Sequence, residues 1–563
     1  MRSQRRLIFD TLLLGVVGAL SAQIFMLMLR GAQYLFLTRL AGYQAPGLPE
    51  EGGVLLQVIG PKGLWWVPVA TTLGGLVSGI IVFSLAPEAE GHGTDTAVKA
   101  FHNFAGFIRT RVPLVKMVAS AITIGSGGAA GREGPTALIT AGFGSVYASL
   151  TRRTEEERRL LVLIGMAAGL SAIFRSPIGT AFFAIEVLYS SMEFDAGALL
   201  YTLLGSVTAY AVNGFFVGFK PLFLLSPDIG VESVSDFTWY IVLGVLAGLV
   251  ATVLPMIFYG IRDIFRDIPI PNHFKPAIGG LGVGLMALAV PQILGGGYGW
   301  IQEAIDGRLA FGLLLTLVFA KILALSLTVS SGGSGGVFAP SLFVGAMLGG
   351  AVAQVFNQAP AAFVLVGMAA VFSGAARVPI ATLVMVTEMT DGYHLLVPAA
   401  LAVILSYFIQ AALSSPLKYK SLYEAQVPGR PDSPAHHVEH LESAIRLLAN
   451  RKVSVPETVS HLDLRTLLAS GIPVDLPDNK RLAIGILKAD SELVGLPISN
   501  CTPLADQHEI EVVADFRNGH TLLPNSEVKL EPGDRLLIIA SPDKWRLIQD
   551  QAPSKGGWGI LTM

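Results

Sequence analysis

Cysteine is all but missing. Cys501 is the only one among 563 residues, so no disulfide can close within the chain and no cysteine-based metal cluster can be built. Charge is scarce as well: Asp, Glu, Lys and Arg make up 14% of the sequence, where an ordinary soluble domain has about 25%. The 39 basic and 41 acidic residues leave a net charge of −2, which offers nucleic acid no basic surface. TVGYG, the potassium-filter sequence, does not occur, and this counts against cation conduction. No histidine lies in the apolar runs flanking Gly125-Ser126-Gly127, so Ser126 lacks the base that an intramembrane serine hydrolase needs, and that reading is remote. His436, His437 and His440 have metal-like spacing, but no acid or cysteine is arranged around them, and they read as part of a polar linker.

What is abundant is apolar: 52% of residues are hydrophobic and 62 are glycine. Runs long enough to cross a bilayer, about 20 residues each, fall at 8–29, 64–86, 196–218, 237–259, 275–294, 309–330 and 395–413. Others, at 112–150, 160–190, 336–357 and 361–387, are cut by Gly and Pro. The expectation is a polytopic membrane protein of roughly ten to eighteen helical pieces, many tilted or partial. Arg2, Arg5 and Arg6 precede the first run, which reads as an uncleaved helix with a cytoplasmic amino terminus.

The chain repeats itself. KMVASAITIGSGGAAGREGP at Lys116–Pro135 returns as KILALSLTVSSGGSGGVFAP at Lys321–Pro340. Gly165-Met166-Ala167-Ala168, Ser171, Arg175, Pro177, Ile178, Thr180 and Glu186 return as Gly367-Met368-Ala369-Ala370, Ser373, Arg377, Pro379, Ile380, Thr382 and Glu388. Two matched blocks in one order imply two structural halves, roughly 60–220 and 235–424, meeting at a substrate site. Each half places a glycine-rich break before a helix start within the bilayer. Bare backbone N–H groups there suit an anion. Pro135 and Pro340 fit the first helical turn, so the amides of Gly134, Val337 and Phe338 are expected to be free.

Glu133 breaks the symmetry, because its repeat partner is Phe338. A lone carboxylate among anion-binding amides reads as a gate: ionised, it occupies the site as a tethered anion, and protonated or displaced it lets the ion pass. Glu186 and Glu388 are matched, which suggests capping or tying of helices. Lys116 and Lys321, also matched, read as structural in-membrane charges that snorkel or link a helix end.

GREGP at 131–135, GVFAP at 336–340, IFRSPIGTAFFAIEV at 173–187, ARVPIATLVMVTEMTDGY at 376–393 and KSLYEAQ around Tyr423 together resemble the CLC family of chloride channels and chloride/proton exchangers. The likeness covers residues 1–424. It implies an all-α polytopic membrane protein with two inverted repeats, a homodimer with an anion path in each subunit, and a gating role for Glu133. It adds Arg132, Tyr423 and the segment Gly91-His92-Gly93-Thr94-Asp95 to the anion path. Family members commonly have GSGxP at that segment, so His92 stands where a serine is usual. His92 can donate to an anion or simply pack, and His92, Asp95 and Glu186 are candidates for a proton path. Exchangers often carry a second glutamate at the position of Val187, and valine cannot titrate.

After residue 424 the chain turns polar and Pro-rich. A linker with short helices is expected at 425–480, a small α+β domain at 481–552 and a tail at 553–563, with strands RLAIGILKA, EIEVVADFR and DRLLIIAS and turns at 517–519 and 531–534. SELVGLPI, VVADFRNGHTLLP and LEPGDRLLIIAS resemble the RCK-C (TrkA-C) domain, which implies a cytosolic module for assembly or for a small ligand. The expected function is chloride transport, leaning to a passive voltage- or pH-gated channel, with chloride/proton exchange as the alternative. The other expectations are no catalytic or metal site, no cofactor besides the transported chloride, no nucleic-acid partner, and residence in the plasma (inner) membrane with both termini cytoplasmic.

Overall fold

A computed structural model describes residues 2–430 apart from 195, 226–229 and 231–232. Beyond them it describes 433, 435, 474–476, 480–488, 491, 494–497, 510–517, 520–522, 529–541 and 560–562. The chain divides into two units, Met1–Gln426 and Val427–Met563.

The first unit is helical and duplicated. Its first half holds α1 (Arg2–Gln33), α2 (Val67–Leu85), α3 (Thr94–Asn103), α4 (Arg111–Gly125), α5 (Glu133–Leu150), α6 (Glu155–Phe174), α7 (Pro177–Glu186) and α8 (Ala196–Val217). The second half holds α9 (Asp236–Asp267), α10 (Lys275–Ala289), α11 (Tyr298–Ile305), α12 (Phe311–Ser330), α13 (Phe338–Val355), α14 (Pro360–Ala376), α15 (Pro379–Thr390) and α16 (Leu396–Ser414). Packing repeats with the order: α1 meets α8 as α9 meets α16, and α5 meets α6 as α13 meets α14. Across the halves α2 packs on α10 and α7 on α15. The first half therefore begins with α1, not near residue 60. The shared motifs start later because α1 and α9, each 32 residues long, match in shape and packing rather than in residues.

Close helix packing follows from glycine. A Cβ on Gly144 would lie 2.2 Å from the Leu161 carbonyl oxygen, and one on its mate Gly349 2.0 Å from that of Phe363, so α5 sits on α6 and α13 on α14 backbone to backbone. Arg175 and Arg377 end α6 and α14 in the left-handed region, at φ 55° and 57°. Pro177 and Pro379 then restart the chain as α7 and α15. The repeated Arg-x-Pro is thus a repeated corner.

Seven helical stretches are long and apolar enough to cross a membrane among the described residues. Residues 275–294 are not one of them. α10 has 15 residues and gives way to a turn at Pro291–Ile293, about 22 Å of helix at 1.5 Å per residue. The charge run RRTEEERR at 152–159 reads in sequence as a solvated loop between helices; in the structure α6 begins at Glu155, with Thr154 and Glu157 forming a capping box, and Arg153 is buried against Asp10 at 2.5 Å.

In the first unit β1 (Tyr43–Gln44) pairs with β2 (Val58–Ile59). In the second unit β3 (Val474–Leu476), β4 (Lys480–Leu487), β5 (Ile510–Arg517), β6 (His520–Leu522), β7 (Arg535–Ala540) and β8 (Ile560–Thr562) form an antiparallel sheet in the order β3-β4-β7-β5-β6. β8, from the expected tail, pairs with β4. The helices expected at 441–470, the three linker histidines, Cys501 and the turn at 518–519 lie outside the described residues. Arg517 clasps the turn before β7, donating to both Asp534 oxygens at 2.8 and 2.6 Å and pairing with Glu531 at 2.9 Å. Asp515 lies buried beside them, 3.7 Å from Arg517. Burial and the Asp534 carboxylate push its carboxyl from 3.8 to about 7.

The folded sheet therefore binds a proton that the unfolded chain releases. The stabilisation it supplies is complete below the unfolded value and is lost as pH rises through about 7. Hydrogen exchange on β5 and β7 in the full-length protein is expected to quicken between pH 5 and 8, after correction for intrinsic rates. Asp515→Asn is expected to flatten that trend.

Candidate functional site

The two glycine breaks touch. Gly131 and Gly336 donate to each other's carbonyls, both at 2.7 Å, forming an antiparallel bridge between the halves. A third glycine segment joins them: Gly335 donates to the Gly91 carbonyl at 3.1 Å, and a Cβ on Gly134 would lie 2.1 Å from the His92 oxygen. The starts of α3, α5 and α13 are thereby drawn to one point. Helix starts have no carbonyl one turn back, and among the described residues the amides of Gly134, Val337 and Phe338 donate to no backbone carbonyl. Their partial positive charge is directed at the meeting point.

Glu133 is at that point, 1% exposed. The amides of Glu133 itself and of Ala339, on the other half, lie nearest its carboxylate. Oε1 accepts a hydrogen bond from the Tyr298 hydroxyl, and Oε2 completes none of ordinary geometry. Arg132 is not free to hold an anion with its side chain: its guanidinium grips Glu51 at 3.0 and 2.5 Å and stands 3.7 Å from Glu133. Phe338 contributes backbone, because its ring is packed among Phe174 and Phe372 at 4.4 and 4.0 Å.

On one side of Glu133 lies a cavity of about 770 Å³ lined by Gly91, His92, Gly93, Asp95, Lys99, Arg109, Arg262 and Lys275 among others. His92 packs edge-on to Tyr423 at 5.4 Å and Phe258 at 6.3 Å, and its buried Nδ1 has no protein partner. Tyr423, 2% exposed, interacts with Thr94 through its hydroxyl. Asp95 accepts from the Ala425 amide at 2.8 Å. On the other side a cavity of about 400 Å³ is lined by Arg132, Glu51, Tyr298 and Gly295–Gly297 among others.

The matched lysines are bonded to backbone carbonyls. Lys116 donates to the carbonyls of Ala89 at 3.0 Å and Gly91 at 2.7 Å. Lys321 does the same for Ile293 and Gly295, both at 2.7 Å. These bonds disclose a third repeat that sequence comparison missed: Gly91-His92-Gly93 and Gly295-Gly296-Gly297 are equivalent turns, with Gly93 at φ 88° and Gly297 at φ 83°. The legible signal was a Gly-x-Gly upstream of each lysine.

Glu186 accepts from the amides of Ile380 and Ala381 at 3.1 and 2.6 Å. Glu388 accepts from Ile178 and Gly179 at 3.1 and 2.8 Å and from Ser176 Oγ at 2.6 Å. Each carboxylate caps the partner helix of the other half, a reciprocity that two-fold symmetry requires. Both Glu186 oxygens are engaged in the cap, so the proton-path role expected of it gains no support from this geometry.

Removing either cap leaves buried amides without an acceptor, a cost of about 1–3 kcal/mol. Glu388→Ala and Glu186→Ala are each expected to lower the melting temperature of the detergent-solubilised protein. Equal melting temperatures for the variants and the wild type would contradict the capping role. The Ser126 hydroxyl donates to the Thr123 carbonyl at 3.0 Å.

Residues 74–411 match the family described as voltage gated chloride channel, and 485–551 the TrkA-C domain. Chloride channel protein CLC-e of Arabidopsis thaliana is 30% identical over 445 residues, 73% of this chain and 61% of its own length. The chain thus spans less than two thirds of that relative. The H(+)/Cl(-) exchange transporter ClcA of Salmonella agona is 32% identical over 362 residues, 62% of this chain and 76% of its own. Among solved structures, a slow cyanobacterial Cl-/H+ antiporter has a TM-score of 0.65 at 21% identity, covering 74% of this chain and 96% of that one. A CLC-type fluoride/proton antiporter has 0.63 at 23%, covering 75% and 98%. Both share this fold of two inverted helical repeats.

Proposed function

Because the chain belongs to the voltage gated chloride channel family, we propose that it carries chloride across a membrane between its two halves, with Glu133 as the gate, and that it exchanges chloride for protons. The observation that carries the reading is the place of Glu133. Glu133, Glu186 and Glu388 each set a carboxylate against a helix start. Glu186 and Glu388 are held there by firm hydrogen bonds from the opposite half, and Glu133 sits at the third with one oxygen unsatisfied. A chloride ion of the same charge can take its place against the same amides, giving up the side-chain bond from Tyr298. Amide dipoles hold a dehydrated anion without a full counter-charge, so it can leave again.

Exchange is favoured over passive conduction by the relatives named as exchange transporters and antiporters. The closed geometry agrees with this, since a buried carboxylate lies between two cavities. Protons then reach Glu133 from the larger cavity past Asp95 and His92, the titratable groups lining it nearest the site, while Val187 supplies none. His92 Nδ1 and the Tyr423 hydroxyl form the inner end of the anion path. A passive channel is the second reading, favoured by Val187. The protein is expected to work as a homodimer with one path per subunit, its TrkA-C unit binding a small ligand or aiding assembly.

Purified protein in vesicles with a chloride gradient and an internal pH dye tests the coupling. Exchange requires protons to move uphill as chloride runs down its gradient. Chloride flux with no proton movement would leave the channel, and no chloride flux at all would end both readings.

A further inference from the structure

We propose that Tyr298 is a latch that holds Glu133 in the anion site against chloride. The proposal rests on the gate reading of Glu133 and adds the residue that secures the closed position. Tyr298 opens α11 directly after Gly297, and its hydroxyl donates to Glu133 Oε1. The ring is held in place: the Arg132 guanidinium lies 4.6 Å from its centroid, Phe223 stacks on it at 6.0 Å and 27°, and Arg132 is itself fixed by Glu51. Tyr298 also lines the cavity of about 400 Å³, so it stands between that cavity and the buried acid.

The repeat supports the assignment independently. Gly297 is equivalent to Gly93, so Tyr298 is the mate of Thr94, as Glu133 is the mate of Phe338. Thr94 is associated with Tyr423 instead. Two positions at which the halves differ, an acid in the first and a phenol in the second, are bonded together.

A phenol donating to a carboxylate makes a charge-assisted hydrogen bond. It stabilises the seated Glu133 and gives nothing to the state in which chloride has displaced it, so it biases the equilibrium towards closure. Tyr298→Phe keeps the ring, the stacking and the Arg132 contact and removes only the latch. Chloride titration calorimetry on the purified full-length protein is expected to show about tenfold tighter apparent binding for this variant, the ratio that ~1.4 kcal/mol gives, with faster chloride efflux from vesicles. In a Glu133→Ala background the same substitution is expected to change neither reading, because its partner is gone. Tyr298→Leu, which removes the ring as well, is expected to act in the same direction.

Chloride affinity in Tyr298→Phe and Tyr298→Leu equal to wild type, while Glu133→Ala alters it, would overturn the latch and leave the gate standing. An equal effect of Tyr298→Phe with and without Glu133 would also overturn it, since the hydroxyl would then act on something else. No effect of Glu133→Ala on binding or flux would remove the gate and the latch together.

Discussion

With Glu133→Gln or Glu133→Ala, chloride flux survives or rises, its dependence on pH and voltage disappears, and coupled proton movement falls to the leak of the vesicle. The reason is geometric. In the wild-type protein the carboxylate lies against the amides of α5 and α13, where an anion would bind, and its removal or neutralisation takes away the competitor without touching the cradle. The cradle is main chain: Gly131 and Gly336 bridge the halves through their own amides and carbonyls, and no side chain of Glu133 is needed to keep them paired. Flux is measured by chloride-selective electrode and proton movement by internal dye. Chloride flux that kept its wild-type pH dependence would refute the assignment of the gate.

Gly134→Ala is expected to act in the opposite sense and nearly as strongly. Its Cβ would lie 2.1 Å from the His92 carbonyl oxygen and 2.9 Å from the Gly336 Cα. Both are backbone atoms of segments pinned elsewhere, one by Lys116 through Gly91 and the other by its bridge to Gly131. Neither can yield as a flexible side chain would, so the starts of α3, α5 and α13 must part. Overpacking of this kind costs about 1–3 kcal/mol or more, and the amides would no longer converge on one ion. Chloride efflux is expected to fall by at least about tenfold, the factor that ~1.4 kcal/mol represents. Gly260→Ala is the control. It lies within α9 with nothing within 4 Å of its would-be Cβ, and alanine there is expected to be neutral or stabilising by up to about 1 kcal/mol. Unimpaired chloride flux in Gly134→Ala would mean that the three helix starts need not touch.

The glycine blocks were readable because they are duplicated, and the lone glutamate because its mate is phenylalanine. The strands of the second unit were readable as short apolar runs bounded by turn residues, although burial does not alternate along β4 and β7, which are buried over most of their length. Other features escaped. Lys116 and Lys321 read as structural charges in sequence, but what they hold did not show: their acceptors are carbonyls about 25 residues upstream, contributed by loops whose own repeat is only a Gly-x-Gly. The capping of α15 by Glu186 and of α7 by Glu388 joins residues some 200 positions apart. No local pattern encodes such a bond, although the matched glutamates pointed to it. Thr154 and Glu157 did have a local signature, and the charge run around them concealed it. Tyr298 escaped altogether, since an aromatic at a helix start carries no chemical signal until its partner is known.

By itself the sequence determined that this chain lives in a membrane, that it is built twice over, that two glycine-broken helix starts match, and which acid departs from the symmetry. These follow from composition and from residues recurring in order, and both are properties of the linear chain. Only the tertiary structure decided which of the buried charges are scaffold, where α1 belongs in the repeat, and that a tyrosine from the second half meets the glutamate of the first. Those are contacts across a two-fold relation between distant segments. Their energy depends on distance and direction in space, and a one-dimensional pattern records neither.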